Sequence, residues 1–134
     1  MRRYYGVTRA VLVSSLMALV FVTFSNGTAR AQNAPDGAEF QGEQGAASFY
    51  GKAHQGKLTA SGSRFDANEL TAAHPWLPFG TRVLVKVEGT GRAVIVTITD
   101  RLYSARRIID LSREAAARLG IIRQGVALVT LTPG

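Results

Sequence analysis

The sequence predicts an all-β fold in which about six short strands close into a small barrel, with one short α-helix. Residues 81–88 (TRVLVKVE) alternate strictly between apolar and polar side chains, as expected for a half-buried strand. Residues 94–112 contain two apolar, β-branched runs, each ending in an aspartate, with an arginine-rich loop between them. Small all-β domains of this kind hide their sheet edges by closing on themselves, which is why we expect a barrel.

The N-terminal region is typical of an exported protein. Arginines at positions 2, 3 and 9 precede the apolar run 11–24, and residues 29–31 (ARA) fit a signal-peptidase cleavage site. We therefore expect residues 1–31 to be a signal peptide, with a retained anchor as the alternative. The mature protein would be secreted or periplasmic, and it would not be a lipoprotein because it has no cysteine.

Removal of the leader changes the charge of the protein. The whole chain has 16 basic and 9 acidic residues, a formal net charge of +7. Four of the basic residues and none of the acidic ones lie in residues 1–31, which leaves a mature net charge of +3. Such a mildly basic chain suits a solvated surface or weak attraction to an acidic polymer and does not call for nucleic acid.

The rest of the chain has room for one domain. Residues 32–45 (QNAPDGAEFQGEQG) are polar and rich in Gly and Gln, which predicts a disordered lead-in. Residues 46–134 contain no internal repeat, and a chain of about 90 residues is enough for a single small domain. With no cysteine, its core must be stabilised by packing alone.

The strands are expected between turn signals. Residues 65–73 are ambiguous, because Asp66 could instead cap a single helical turn through Leu70. The segment 74–80 cannot be a regular helix, since its two prolines bias the preceding residues toward extended geometry. The clearer strands are predicted at residues 46–50, 81–88, 92–99, 108–111 and 126–131, with a hairpin turn at residues 89–91.

One short helix is expected near the C-terminus. Ser112 is a good N-cap for residues 113–119, and Glu114 lies favourably in the first turn. Gly120 follows at the position where helices commonly end in a left-handed residue.

Four side chains stand out as candidates for chemistry: Asp100, Asp110, His74 and Asp66, which lies eight residues before His74. A pair of carboxylates is the minimum set for acid–base cleavage of a glycosidic bond. Each candidate also has a structural interpretation. Asp110 could bond backbone N–H groups near the helix start, Asp100 could be a turn former, and His74 could be a packing residue that bonds a carbonyl.

Other classes of site find less support in the sequence. The chain has no cysteine, no H-x-x-x-H and no close carboxylate cluster, so we predict no metal site and no cofactor. It contains no P-loop and no G-x-S-x-G motif. Trp76 and Phe79 could belong to the core or stack on sugar rings, and the core is favoured for Phe79. From the residues alone the prediction is a small secreted β domain with a polar cleft.

Three motifs carry a more specific resemblance: GAASFYG, TASGSRFDANELTAAHPWLPFGTRVLV and VTITDR…RIIDLS. In order and spacing they resemble the rare lipoprotein A (RlpA) family across residues 45–134. The resemblance implies a six-stranded double-psi β-barrel. It also implies an endolytic peptidoglycan transglycosylase, which cuts glycan strands without stem peptides and leaves 1,6-anhydromuramic ends. The same barrel in expansins binds polysaccharide along an open groove.

The resemblance also implies roles for individual residues. The family's catalytic aspartate corresponds to Asp100 and its site histidine to His74. Asp100 would protonate the leaving oxygen and then accept the hydroxyl proton, while His74 would orient it or stabilise developing charge. In expansins two aspartates, a tyrosine and a threonine line the groove. The residues expected to contact the substrate here are Tyr50, Thr59, Ser63, Tyr103 and Asp110.

Two departures from the family pattern bear on function. Ser63 stands where the family usually has glutamate, and the loop after Asp100 reads DRLYS instead of DRGP. The first departure removes a carboxylate, and it favours the alternative of a non-catalytic, expansin-like module that binds peptidoglycan or another polysaccharide. The expected partners are peptidoglycan glycan strands, with no nucleic acid and no membrane span after signal cleavage.

Overall fold

The computed structural model describes residues 39–134, so the predicted signal peptide and residues 32–38 of the lead-in lie outside the described residues. Within that range the structure has six strands, one α-helix and a single 3₁₀ turn at Lys52–His54. The elements are β1 (Glu43–Phe49), β2 (Thr71–Ala73), β3 (Arg82–Val87), β4 (Ala93–Asp100), β5 (Ile109–Leu111), α1 (Arg113–Leu119) and β6 (Ala127–Pro133).

The six strands form a closed barrel in the order β1-β5-β2-β4-β3-β6. Two neighbouring pairs are parallel, β1 with β5 and β2 with β4, and the other pairs are antiparallel. A parallel pair cannot be joined by a tight hairpin, so longer connections must cross the barrel ends. The predicted all-β barrel with one short helix is confirmed, and these connections carry the candidate site.

The barrel interior is filled by the alternate residues of its strands. On β3 the buried side chains are Val83, Val85 and Val87, and on β4 the pattern continues with Val96 and Ile98. Because a strand has a period of two, this alternation sends the polar residues of β3 outward, as predicted. Burial of these β-branched side chains supplies the main driving force for folding in a chain without cysteine.

The predicted helix is confirmed with its caps. The Ser112 side chain accepts a hydrogen bond from Ala115 N, and Gly120 ends the helix in the left-handed region with φ 73°. Ala115, Ala116 and Leu119 are buried against the barrel. Within residues 39–134, no helix has the length and apolar character needed to cross a membrane.

One expectation about the N-terminal half is wrong, and one ambiguity is resolved. Strand β1 begins at Glu43, so residues 43–45 belong to the barrel and not to a disordered lead-in; they pair with β6 in register, starting with Glu43 opposite Leu131. The ambiguous segment 65–73 forms an isolated turn followed by β2: the Asp66 carboxylate accepts from Asn68 N at 3.0 Å and the Asp66 carbonyl accepts from Glu69 N at 3.2 Å, with no regular helix. At residues 43–45 the polar, glycine-containing composition was outweighed by pairing with β6, which lies far along the chain.

Candidate active site

Asp100 lies at the last position of β4, where the strand leaves the barrel. Its Oδ1 accepts hydrogen bonds from the backbone N–H groups of Ala60 at 2.8 Å and Arg101 at 2.9 Å. Its Oδ2 accepts from the Tyr50 hydroxyl at 2.7 Å. The side chain is partly exposed. No arginine makes a bidentate contact with this carboxylate. Oδ2 has a second lone pair besides the one that accepts from Tyr50.

Tyr50 immediately follows β1 and is enclosed by other rings. Its ring lies 4.7 Å from that of Phe65, edge to face, and 4.8 Å from that of His54. Burial, the hydrogen bond to Asp100 and the negative charges of Asp100 and Asp110 raise the pKa of the Tyr50 hydroxyl well above its ordinary value. The hydroxyl therefore stays protonated and acts as a fixed donor toward Asp100.

The barrel topology brings the two aspartates to neighbouring positions. Ala73 on β2 pairs with Asp100 on β4 and with Asp110 on β5, so a single strand separates them. Since adjacent strands lie about 4.8 Å apart, their Cα atoms are separated by about 10 Å.

Asp110 is held by an arginine and a serine. It is 8% exposed, and its Oδ1 accepts from the Ser48 hydroxyl at 2.6 Å. Arg107 donates from Nη2 to Oδ2 at 3.2 Å and brings its Nε to 2.9 Å from Oδ1. The Nε approach has poor hydrogen-bond geometry, so it contributes mainly charge attraction. The alternative in which Asp110 caps backbone N–H groups at the helix start is wrong, because Ser112 has that role.

His74 is fully buried, with 0% exposure. Its Nδ1 accepts from the backbone N–H groups of Trp76 at 3.3 Å and Leu77 at 3.2 Å, and its Nε2 lies 2.8 Å from Oε1 of Glu43. Both ring nitrogens are thus engaged away from the Asp100 carboxylate. The link to Asp100 runs through the backbone, where His74 N donates to the Asp100 carbonyl at 3.2 Å.

Thr59, Ser61 and Ser63 form a cluster of hydroxyls beside Asp100. The Thr59 hydroxyl lies 2.8 Å from that of Ser61 and 3.0 Å from that of Ser63, and the latter two lie 2.9 Å apart. The cluster is fixed to the site because Ala60 donates to Asp100 and Ser61 N donates to the Thr99 carbonyl at 3.1 Å. The structure therefore places Thr59 and Ser63 close to the catalytic candidate.

The loop after Asp100 contributes differently from what was expected. Tyr103 is 92% exposed, so this ring stands in solvent and its expected contact with substrate stays a prediction. Phe79, expected in the core, is 41% exposed, and that expectation is wrong. The Arg101 guanidinium lies 3.9 Å from the centroid of the Phe79 ring and donates to the Leu77 carbonyl at 2.8 Å. Arg101 thereby ties the proline-rich segment to the end of β4.

Besides Ser61 of the hydroxyl cluster, four participants were missed from the sequence. Glu43 was placed in a disordered segment, and Ala60 acts through its backbone, which carries no side-chain signal. Ser48 meets Asp110, 62 residues away, only because β1 and β5 pair in parallel. His54 stacks on Tyr50 from the 3₁₀ turn. The alternation of residues 46–50 could have suggested that Ser48 and Tyr50 share a face, but not what they face.

Comparison with known proteins places this geometry in a family. Residues 42–131 match the family model described as "Lytic transglycolase". The probable endolytic peptidoglycan transglycosylase RlpA of Synechocystis is 50% identical over 88 residues, covering 65% of this chain and 27% of that protein. Endolytic peptidoglycan transglycosylase RlpA of Neisseria meningitidis serogroup A is 43% identical over 95 residues, covering 70% of this chain and 39% of that protein. The chain thus spans well under half of these relatives' length.

Solved structures agree on the barrel. The Streptomyces papain inhibitor is 30% identical with a TM-score of 0.56, covering 69% of this chain and 93% of that chain. An apo expansin of Clavibacter michiganensis has a TM-score of 0.56 at 23% identity, covering 70% of this chain and 50% of that chain, and this likeness shows the fold alone. With the family match across nearly the whole barrel, the chain belongs to the RlpA family of lytic transglycolase-type double-psi β-barrel proteins.

Proposed function

We propose that this domain is an endolytic peptidoglycan transglycosylase that acts outside the cytoplasm after removal of residues 1–31. It binds glycan strands that lack stem peptides and cleaves them to 1,6-anhydromuramic ends. The names of the relatives support the reaction class, and the matched region is the barrel that holds Asp100.

The observation that carries the proposal is the setting of the Asp100 carboxyl. It is partly exposed at a strand end, has no bidentate arginine contact, and accepts hydrogen bonds from three donors: the Tyr50 hydroxyl, Ala60 N and the adjacent Arg101 N. A carboxyl held this way has one orientation, and its Oδ2 retains a site for a proton. Orientation of a proton-transfer group is what an acid–base catalyst requires.

The proposed reaction needs one carboxyl and no activated water. Asp100 gives a proton to the glycosidic oxygen as that bond breaks, and its carboxylate then takes the proton of the muramic acid 6-hydroxyl as this oxygen bonds to C1. The proton count is balanced, and Asp100 returns to its starting state. Because the nucleophile belongs to the substrate, proximity replaces activation by a second carboxylate. This accounts for catalysis with Ser63 in the cluster.

The neighbouring groups have supporting roles in this proposal. Tyr50 donates to Asp100 and stabilises its charge between the two proton transfers. The Asp110 carboxylate binds Arg107 and thereby fixes the loop that connects β4 to β5. The exposed hydroxyls of Ser61 and Ser63 and the Tyr103 ring contact sugar, since hydroxyls exchange hydrogen bonds with sugars and aromatic faces stack on them. The buried Thr59 hydroxyl holds the two serines in place. His74 orients the end of β4 through its backbone.

The test uses the mature protein and glycan strands stripped of peptides by an amidase, with mass spectrometry of the products. The wild type is expected to release 1,6-anhydro ends, and Asp100→Asn to lose about 100-fold or more of the rate. Glu114→Gln is the matched control, because this helical carboxylate bonds Arg118 on an exposed surface. Undiminished activity of Asp100→Asn contradicts the role of Asp100, and products with reducing ends identify hydrolysis instead.

The second candidate is a non-catalytic module that binds peptidoglycan in the manner of expansins. The hydroxyl cluster favours it, because Ser63 offers hydrogen bonds but no titratable carboxyl beside Asp100. Under this candidate the wild type sediments with purified peptidoglycan yet releases no new chain ends, and Asp100→Asn alters binding alone.

A further inference from the structure

The buried His74 ring contacts an acidic residue, Glu43, from a distant part of the chain. Glu43 begins β1 and stands 31 positions before His74 in the chain, yet its Oε1 lies 2.8 Å from His74 Nε2. The Glu43 side chain is 28% exposed, while that of His74 is fully buried. No spacing in the sequence indicates this pair, because the contact depends on how the barrel closes.

The hydrogen bonds define which nitrogen of His74 carries the proton. Backbone N–H groups can only donate, and two of them, from Trp76 and Leu77, point at Nδ1. Nδ1 is therefore the acceptor and Nε2 bears the hydrogen, which it donates to Glu43. A proton on Nδ1 would break both backbone bonds, so this geometry suits a neutral ring and leaves it no part in proton transfer.

The ring is enclosed on its remaining sides. The Phe40 and Trp76 rings meet it edge to face, with centroids 6.4 Å and 5.3 Å away, and they pack on each other at 5.8 Å. Because the ring itself is fully buried, water can reach the pair only from the side of the Glu43 carboxylate, which is partly exposed.

The backbone of His74 connects this buried pair to the candidate catalytic residue. His74 N donates to the Asp100 carbonyl at 3.2 Å, and Leu102 N donates to the His74 carbonyl at 3.4 Å. These bonds hold the chain at Asp100 and two residues beyond it. Any rotation of the His74 ring would release the turn at Trp76 and Leu77 and loosen the strand end that aims the Asp100 carboxyl.

We propose that Glu43 is a positioning residue of this site. Its carboxylate accepts from His74 Nε2–H and so locks the ring in the orientation in which Nδ1 faces the Trp76 and Leu77 N–H groups, and through that ring it holds the end of β4 in place. The inference rests on the proposed function for its effect on catalysis. The lock on the ring and its effect on the backbone are properties of the chain itself.

The first test is independent of activity. Nitrogen-15 NMR of the His74 ring in the intact mature protein at neutral pH is expected to show the Nε2–H tautomer. Glu43→Gln is expected to keep it, because the amide oxygen also accepts from Nε2–H, whereas Glu43→Ala loses the partner. Hydrogen exchange of the His74 and Leu102 amides is expected to speed up at least tenfold in Glu43→Ala and to stay unchanged in Glu43→Gln.

Variants nearby provide the controls. Glu39→Ala removes an exposed acid from the same segment and is expected to leave the tautomer and exchange unchanged. If Glu43→Ala does not fold, Glu43→Asp serves instead, since it keeps the charge but is one methylene too short to reach the ring. A wild-type ring protonated on Nδ1, or exchange unchanged in Glu43→Asp and Glu43→Ala, overturns the proposal.

The second test measures turnover on stripped glycan strands. Glu43→Ala is expected to lower kcat on the order of 10-fold to 100-fold with little change in KM, because misplacement of a catalytic group acts on the chemical step. Glu43→Gln is expected to stay within about twofold of the wild type, since it restores the acceptor. Equal kcat in Glu43→Ala and wild type refutes the positioning role. An inactive wild type refutes the proposed function, and the NMR and hydrogen-exchange results then decide whether Glu43 holds the His74 ring.

Discussion

The hydroxyl of Tyr50 lies 2.7 Å from Oδ2 of Asp100, although the two residues are 50 positions apart in the chain. Tyr50 follows β1 and Asp100 ends β4. These strands are not neighbours, because β5 and β2 lie between them in the barrel. The tyrosine therefore reaches across the barrel end to the carboxylate. This hydrogen bond links the residue that follows β1 to the candidate catalytic carboxylate at the end of β4.

Removal of the Tyr50 hydroxyl should impair catalysis while preserving the fold. Tyr50→Phe keeps the ring against Phe65 but removes the donor to Asp100. We expect kcat to fall on the order of 10-fold to 1,000-fold, as when one fixed donor is lost from a charge-stabilising site. The loss of a hydrogen bond should lower the free energy of unfolding by about 0.5–1.5 kcal/mol. Tyr103→Phe, at an exposed position, is the matched control and should change the free energy of unfolding little.

The raised pKa of Tyr50 predicts how stability depends on alkaline pH. The folded state holds this phenolic proton more tightly than the unfolded state, whose pKa is the ordinary value of 10.0. Below that pH both states are protonated and the stabilisation is fully present; above it the unfolded state releases the proton first, so the free energy of unfolding falls as pH rises. Denaturant titrations above about pH 10 should show a shallower fall for Tyr50→Phe than for wild type or Tyr103→Phe. Equal slopes would contradict a buried, hydrogen-bonded hydroxyl.

Separation of the Arg107–Asp110 pair should destabilise the domain. In Arg107→Ala the Asp110 carboxylate stays largely buried with only Ser48 as its donor, which costs about 1–3 kcal/mol of the free energy of unfolding. Asp110→Asn in the Arg107→Ala background removes the unpaired charge and should recover part of that loss. Arg106→Ala, on the exposed side of the same loop, is the control for equilibrium denaturation. A double variant less stable than Arg107→Ala alone would refute the pairing.

Replacement of Arg101 by lysine should weaken the attachment of the proline-rich segment. Lysine keeps the charge but loses the planar group that stacks on Phe79 and donates to the Leu77 carbonyl. We expect a loss of about 0.5–2 kcal/mol of the free energy of unfolding from the cation–π contact and the hydrogen bond together. Thermal denaturation measures the loss, and Arg113→Lys on the exposed start of α1 should leave the melting temperature nearly unchanged.

The local patterns of the sequence were enough to find the elements with strong periodicity or caps. The alternation in residues 81–88 located β3, and Ser112 with Gly120 defined both ends of α1. They failed at Glu43 and at β2, because the three residues of β2 have no periodicity of their own and become a strand only between β4 and β5. The side chain of Phe79 was misplaced because its exposure depends on where Arg101 stacks.

The sequence by itself determined that this is a small β protein whose acids stand at strand ends, since apolar alternation and cap residues act over a few positions and can be read directly. The tertiary structure alone decided which acid is available for chemistry. Arg107 and Ser48 hold Asp110, whereas Tyr50 and backbone N–H groups leave Asp100 partly exposed, and Glu43 engages His74. The Ser48–Asp110, Tyr50–Asp100 and Glu43–His74 contacts span 62, 50 and 31 positions. The first two exist because the parallel pairing of β1 with β5 and of β2 with β4 brings distant segments together, and the third exists because the barrel closes.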